Sequence, residues 1–255
     1  MRLAVTTVLA PDPPSLAAAR EAAARHGVPF LPRGAGLATL AREADAGALL
    51  VLGAHSALWL DGAEHRWNPG MGALRAKRLA RGETSTREPF LDAAGIRPGD
   101  AVLDCTLGLG ADALVAAEAA GERGRVVGLE SSALLAAWVD EGMRRLDLPA
   151  ARRVEVRRAE HGSFLAACPE RSFDVVVFDP MFRHERAQAP AFGLVRRLAE
   201  RRPLEAGALA RARRVARRWV VVKDGAPGWD LARLGLAPLP SVRGAKRLYG
   251  RVEPA

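Results

Sequence analysis

Five β-branched apolar runs, separated by stretches of helical composition, constrain this chain more than any other feature. They are AVLDC (101–105), RVVGLE (125–130), RVEVRR (153–158), FDVVVFD (173–179) and RWVVVK (218–223). Runs this uniformly apolar suit strands covered on both faces. Between them lie DALVAAEAA, SALLAAWVDEGMRRL and LVRRLAERRPLEAGALARARRVA, which are helical in composition. This alternation predicts an α/β fold with a doubly wound parallel sheet. RLYGRV (247–252) is placed as an edge strand.

The first 67 residues read differently. RLAVTTV (2–8) suits a strand, and PPSLAAAREAAARHG suits a helix with Pro at its start and Gly27 as its stop. VPFL, GLATLAREADAG, ALLVLG and ALWLDGAEHRW follow as strand, helix and two strands, the last turning at Asp61-Gly62. A small βαβαββ unit is expected over 1–67, with the larger domain over 68–255. The stretch 68–89 joins them and carries Arg75, Lys77, Arg78 and Arg81 on an expected helix, as candidate contacts to RNA phosphates.

Composition narrows the partners. The 255 residues hold 38 Lys+Arg against 29 Asp+Glu, a formal net charge of +9, and of the cations three are lysines: Lys77, Lys223 and Lys246. A positive balance favours polyanions such as nucleic acid. Two cysteines, Cys105 and Cys168, are too few for a disulfide framework or a four-ligand zinc site, so a reducing cytoplasm is expected. Ala46 to Leu60 is the longest apolar stretch and is too short to span a bilayer comfortably. The N-terminal apolar run reads as a buried strand, since proline follows it rather than a cleavage box. The histidines are scattered, and no metal is expected.

The first strand of the large domain runs into Asp104-Cys105-Thr106-Leu107-Gly108-Leu109-Gly110-Ala111-Asp112. Glycines between strand and helix let a ligand approach the backbone. The second strand ends at Glu130, 20 residues past Gly110, where a carboxylate accepts two hydrogen bonds from a ribose diol. Asp104 stands where a pyrophosphate would be repelled. A nucleoside carrying a cation tolerates it, which selects S-adenosylmethionine over a dinucleotide. Glu160, after the third strand, is a candidate acceptor for the adenine amino group.

The fourth strand ends in Asp179-Pro180-Met181-Phe182. Methylating an exocyclic amino group requires acceptors for its N–H groups, so that the lone pair is freed from the ring. The Asp179 carboxylate and the Pro180 carbonyl supply these, proline stiffens the turn, and Phe182 is placed to stack on a flipped base. Arg183, His184 and Arg186 follow as candidate phosphate contacts.

VLDCTLGLGADAL, VVGLE, FDPMF, RWVVVK and RGAKRLYGRV together resemble the RsmJ-type family of class I methyltransferases, and its YpiP-like bacterial relatives, over about residues 68–253. The resemblance implies a seven-stranded Rossmann-like methyltransferase sheet and transfer of a methyl group to guanine N2 of small-subunit rRNA. It assigns the cofactor to Asp104, Thr106, Gly108, Gly110, Asp112, Glu130, Ser131 and Glu160, and the target base to Asp179, Pro180 and Phe182. Lys223 is placed near the same cleft. The sequence departs from the family in its N-terminal unit and in Arg183, where proline is expected. DNA adenine, a small molecule, or a silent RNA-binding role remain as alternatives.

Overall fold

The computed structural model describes residues 1–83, 88–180, 190–199, 202–240 and 245–255. In chain order the elements are β1 (Leu3–Thr7), α1 (Pro13–His26), α2 (Leu37–Glu43), β2 (Ala48–Leu52), β3 (Ser56–Leu60), β4 (Ala63–Arg66), α3 (Met71–Ala80) and α4 (Pro89–Ala94). They continue as β5 (Ala101–Asp104), α5 (Ala111–Ala120), β6 (Arg125–Glu130), α6 (Ala133–Arg145), β7 (Val154–Arg158), α7 (His161–Ala167) and β8 (Phe173–Phe178). The last are α8 (Pro190–Leu198), α9 (Ala206–Val215), β9 (Ala216–Gly225), α10 (Trp229–Arg233) and β10 (Arg247–Val252).

The chain divides into two compact units, Met1–Asn68 with Ala133–Asp147, and Pro69–Ser132 with Leu148–Ala255. The first holds a four-stranded sheet ordered β1-β2-β3-β4. β1 and β2 are fully buried and pair in parallel, and β3 and β4 form the expected hairpin at Asp61-Gly62, both with positive φ. The expected VPFL strand shrinks to one bridge, Val5 to Phe30. Asp12 caps α1 by accepting the Ser15 N–H at 2.7 Å, and Gly27 ends the helix at φ +63°.

One helix departs from the expected division. α6, read as part of the larger domain, belongs to the first unit, where it packs on β2 and β3. The ring of Trp67 fills the space a side chain on Gly142 would need. Glu141 of α6 is buried and takes Arg25, Arg145 and His26 around its carboxylate. Arg145 is an i,i+4 partner on the same helix, but Arg25 and His26 lie 116 and 115 residues away, where no local pattern announces them.

In the second unit the described residues form a six-stranded sheet ordered β10-β9-β8-β5-β6-β7. All neighbours are parallel except β10, which runs antiparallel to β9. Seven strands were expected. Outside β10 the described chain makes a single antiparallel bridge, Pro238 to Gly250, with Leu239 N–H donating to Tyr249 O at 2.7 Å. Proline cannot donate to a ladder, which keeps that edge from growing into a strand. Alternate strand residues face two helical layers. Leu103, Val127, Leu129, Val176, Phe178, Val220 and Val222 form one core with residues of α7, α9 and α10, while α4 and α5 lie on the other residues of the same strands.

Strand order reverses between β5 and β8. In such sheets ligands bind outside the carboxyl ends of the strands at the point of reversal.

Candidate active site

A cleft of about 1280 Å³ opens at that point, lined only by residues of the second unit. Four strands, at or just past their carboxyl ends, deliver an ionisable side chain to it. β5 brings Asp104, β6 brings Glu130, the turn after β8 brings Asp179 and Pro180, and β9 brings Lys223.

The glycine loop holds its shape through its own backbone. Leu107 N–H donates to Leu129 O at 2.9 Å, and Gly110 N–H to Leu107 O at 2.8 Å. Gly108 and Gly110 take φ of +51° and +80°, which side-chain-bearing residues avoid. Gly110 then caps α5. Thr106 lies in the middle of the site. Its N–H donates to Asp104 at 3.0 Å, and its hydroxyl accepts the Asp179 N–H at 2.6 Å.

Glu130 is buried, lines the cleft, and accepts the Ser132 N–H at 2.9 Å. Burial raises its carboxyl pKa against the pull of backbone N–H groups, including that of Gly108. Asp104 is buried as well. Burial pushes its carboxyl up to about 7, beyond what the Thr106 N–H offsets, with Asp112 and Asp179 adding to the rise. A buried carboxylate with this deficit of positive charge fits a ligand carrying a sulfonium and an ammonium. Gly108, Ser131 and Thr106 line the same wall. These residues would hold the adenosine diol and the charged methionine part of S-adenosylmethionine.

Two expected cofactor residues are engaged otherwise. Glu160 caps α7, accepting the Gly162 and Ser163 N–H groups at 2.8 and 2.7 Å. Those bonds outweigh its burial and hold its carboxyl below the usual range. Its neighbours Ala159 and His161 line the cleft in its place, with the His161 ring edge-on to Phe178. Asp112 lines the cleft, but each of its oxygens has a cation. Arg75 donates to Oδ1 at 2.7 Å and Lys223 to Oδ2 at 2.8 Å. Burial alone would raise the Asp112 pKa, yet the two cations hold it below the usual range.

Arg75 corrects the expectation that the connecting segment presents its arginines to phosphate. Arg75 is largely enclosed and also grips Glu88 through Nε at 2.9 Å and Nη2 at 2.5 Å. It sits there because α3 lies tightly on the start of α5. A Cβ on Gly72 would stand 2.5 Å from Ala111 Cα.

Lys223 lines the cleft, and its partners are what the sequence left open. Its ammonium bridges Asp112 and Asp179, the latter at 2.6 Å. Burial opposes its charge, but the two carboxylates outweigh burial and keep it protonated well above the ordinary lysine range. A lysine closing an apolar strand was the available signal. Met181, Phe182, Arg183, His184 and Arg186 lie outside the described residues.

Metal spacing occurs once among the described residues, at His26, Asp140 and Glu141 in the first unit. Arg25 and Arg145 already neutralise Glu141 there. Among the described residues no helix is long and apolar enough to cross a membrane.

Comparison with known proteins gives the family and the fold. The chain is 40% identical over 169 residues to the uncharacterized protein YpiP of Bacillus subtilis (strain 168), covering 64% of this chain and 65% of that protein. It is 33% identical over 182 residues to the ribosomal RNA small subunit methyltransferase J of Halorhodospira halophila (strain DSM 244 / SL1), covering 67% of this chain and 63% of the relative. The chain thus spans just under two thirds of either relative's length. In fold it is similar to the crystal structure of a SAM-dependent methyltransferase from Neisseria gonorrhoeae, with a TM-score of 0.64 and 21% identity over 98% of this chain and 96% of that one. The SAM-dependent methyltransferase family matches residues 71–233. That match takes in most of the chain and the whole glycine loop, so this protein belongs to the SAM-dependent methyltransferases, and S-adenosylmethionine is its cofactor.

Proposed function

We propose that the enzyme methylates an exocyclic amino nitrogen, that of guanine N2 in small-subunit rRNA. The observation that carries this reading is the seating of Asp179-Pro180 against the cofactor loop through Thr106. S-adenosylmethionine, when bound, supplies an electrophilic methyl group. The chain's own work is alignment. Asp179 and the Pro180 carbonyl accept the amino N–H groups, which frees the nitrogen lone pair for in-line attack. The proton lost afterwards goes to Asp179 or water. Phe182 stacks on the base.

RNA is favoured over a small molecule by charge. Arg196, Arg202, Lys246, Arg247 and Arg251 line the same cleft as Asp179. The Halorhodospira relative, a ribosomal RNA small subunit methyltransferase, points the same way. Free Cys105 and Cys168 suit the cytoplasm, where that substrate lies.

The test is methyl incorporation from labelled S-adenosylmethionine into rRNA, DNA and small-molecule fractions, followed by nucleoside mapping. Label in N2-methylguanosine of small-subunit rRNA is the expected result. Asp179→Ala should abolish transfer and leave cofactor affinity intact. Phe182→Ala should weaken apparent RNA affinity by about 1–3 kcal/mol. Wild-type turnover in Asp179→Ala would sink the proposed site.

A further inference from the structure

We propose that Lys223 is the positioning residue of the acceptor site, its one ammonium shared between Asp112 and Asp179 so that a single Asp179 oxygen is left to receive the acceptor N–H. The inference rests on the reading of Asp179 given above.

The geometry is a tether with one fixed end. Asp112 opens α5 and is pinned through Oδ1 by Arg75, which is itself held by Glu88. Lys223 reaches from β9 to Asp112 Oδ2 at 2.8 Å and to Asp179 Oδ2 at 2.6 Å. A carboxylate's terminal torsion is broad and two-fold. An aspartate on a turn therefore presents either oxygen unless something chooses. Lys223 engages Oδ2, and among the described residues no side chain engages Oδ1, the atom that remains for substrate. An ammonium suits this task because three donors on one point charge can serve two carboxylates at once, whereas a guanidinium fork prefers one. The Lys223 side chain is only 13% exposed, yet it lines the cleft, so it acts from beneath the substrate's position.

Charge balance sets the second consequence. Asp179 faces Lys223 from β9, Asp112 from α5, Asp104 from β5, and Arg247 and Tyr249 from β10. Enclosure and the neighbouring Asp112 carboxylate raise its pKa, and Lys223 gives the largest opposing pull. Tyr249 is pushed up to about 12 by burial and stays neutral. Without Lys223, Asp179 takes up a proton at higher pH. A protonated carboxyl is a donor where the reaction needs an acceptor.

The experiment follows the Asp179 carboxyl by ¹³C NMR in aspartate-labelled protein, with its resonance assigned through Asp179→Asn. Lys223→Met should move the Asp179 titration to higher pH, and Lys223→Arg should return it toward wild type. With an unmodified small-subunit rRNA transcript as acceptor, Lys223→Met should lower kcat by about 100-fold. Its acid limb should move up in step with the NMR titration, and affinity for S-adenosylhomocysteine should stay unchanged. An unmoved Asp179 titration in folded Lys223→Met overturns the proposal. Should that variant not fold, Asp112→Asn carries the measurement. It leaves Lys223 wholly to Asp179 and should move the titration to lower pH, and no movement there also overturns the proposal. Active Asp179→Ala would remove the acceptor-site reading, while the NMR result still decides the Lys223–Asp179 coupling. Inactive Asp179→Ala beside wild-type behaviour of Lys223→Met would remove the Lys223 assignment alone.

Discussion

The backbone N–H of Asp179 donates to the hydroxyl of Thr106 at 2.6 Å, across 73 residues of sequence. This bond ties the turn after β8 to the glycine loop after β5. A shift in one is passed to the other, and in-line transfer tolerates little misplacement. Thr106→Val keeps the shape and deletes the acceptor. It should cost about 1–3 kcal/mol of stability by leaving the N–H unsatisfied. It should also lower kcat more than it weakens cofactor binding. Urea unfolding and steady-state kinetics check the two effects.

Asp104 gives a pH dependence with a defined sign. Burial pushes its folded carboxyl up to about 7 from the ordinary 3.8 of an aspartate. The folded, ligand-free protein therefore holds a proton that the unfolded chain has released between those values. This group's contribution to stability is present below the unfolded value and is lost as pH rises through 7. Asp104→Asn lacks that loss, so its melting temperature should gain on wild type as pH climbs from 4 to 7. A cationic ligand favours the ionised form. Calorimetry should find S-adenosylmethionine binding weaker below pH 7, with proton release, and both effects should vanish in Asp104→Asn.

Gly72 marks where α3 seats. A methyl group there meets Ala111 backbone at 2.5 Å from Cα and 2.7 Å from O, and backbone cannot swing aside. Gly72→Ala should cost about 1–3 kcal/mol by overpacking, read in chemical denaturation. It should also loosen the Arg75–Asp112 pair, which depends on the close approach of α3 to α5.

The cleft's cations separate from the buried one in a salt titration. If rRNA phosphates meet Arg202 and Lys246, neutralising either should reduce the slope of log affinity against log salt by about one. Arg75→Gln should leave that slope alone and lower stability instead, because its guanidinium is spent on Glu88 and Asp112. A slope change in Arg75→Gln with unchanged melting would reverse this assignment.

Much of this protein was legible in its sequence. Apolar β-branched runs report burial on both faces of a strand, and glycines at Gly108 and Gly110 report positive φ. Both are local properties, so the sheet, its loop and the Glu130 tip followed from short stretches. What only the tertiary structure decided is which charge meets which. Arg75 looked like a phosphate contact and became a half-buried partner of Asp112, 37 residues on. Glu160 looked like a ligand for adenine and became a helix cap. Lys223 was placed near the cleft from the sequence, but the carboxylates it joins lie 111 and 44 residues away. α6 has the composition of any crossover helix, yet it packs on β2 and β3 of the first unit and pairs Glu141 with Arg25 and His26 of α1. Hydrophobic periodicity is written along the chain. An ion pair is decided by a few ångströms between side chains, and those separations exist only once the elements have packed.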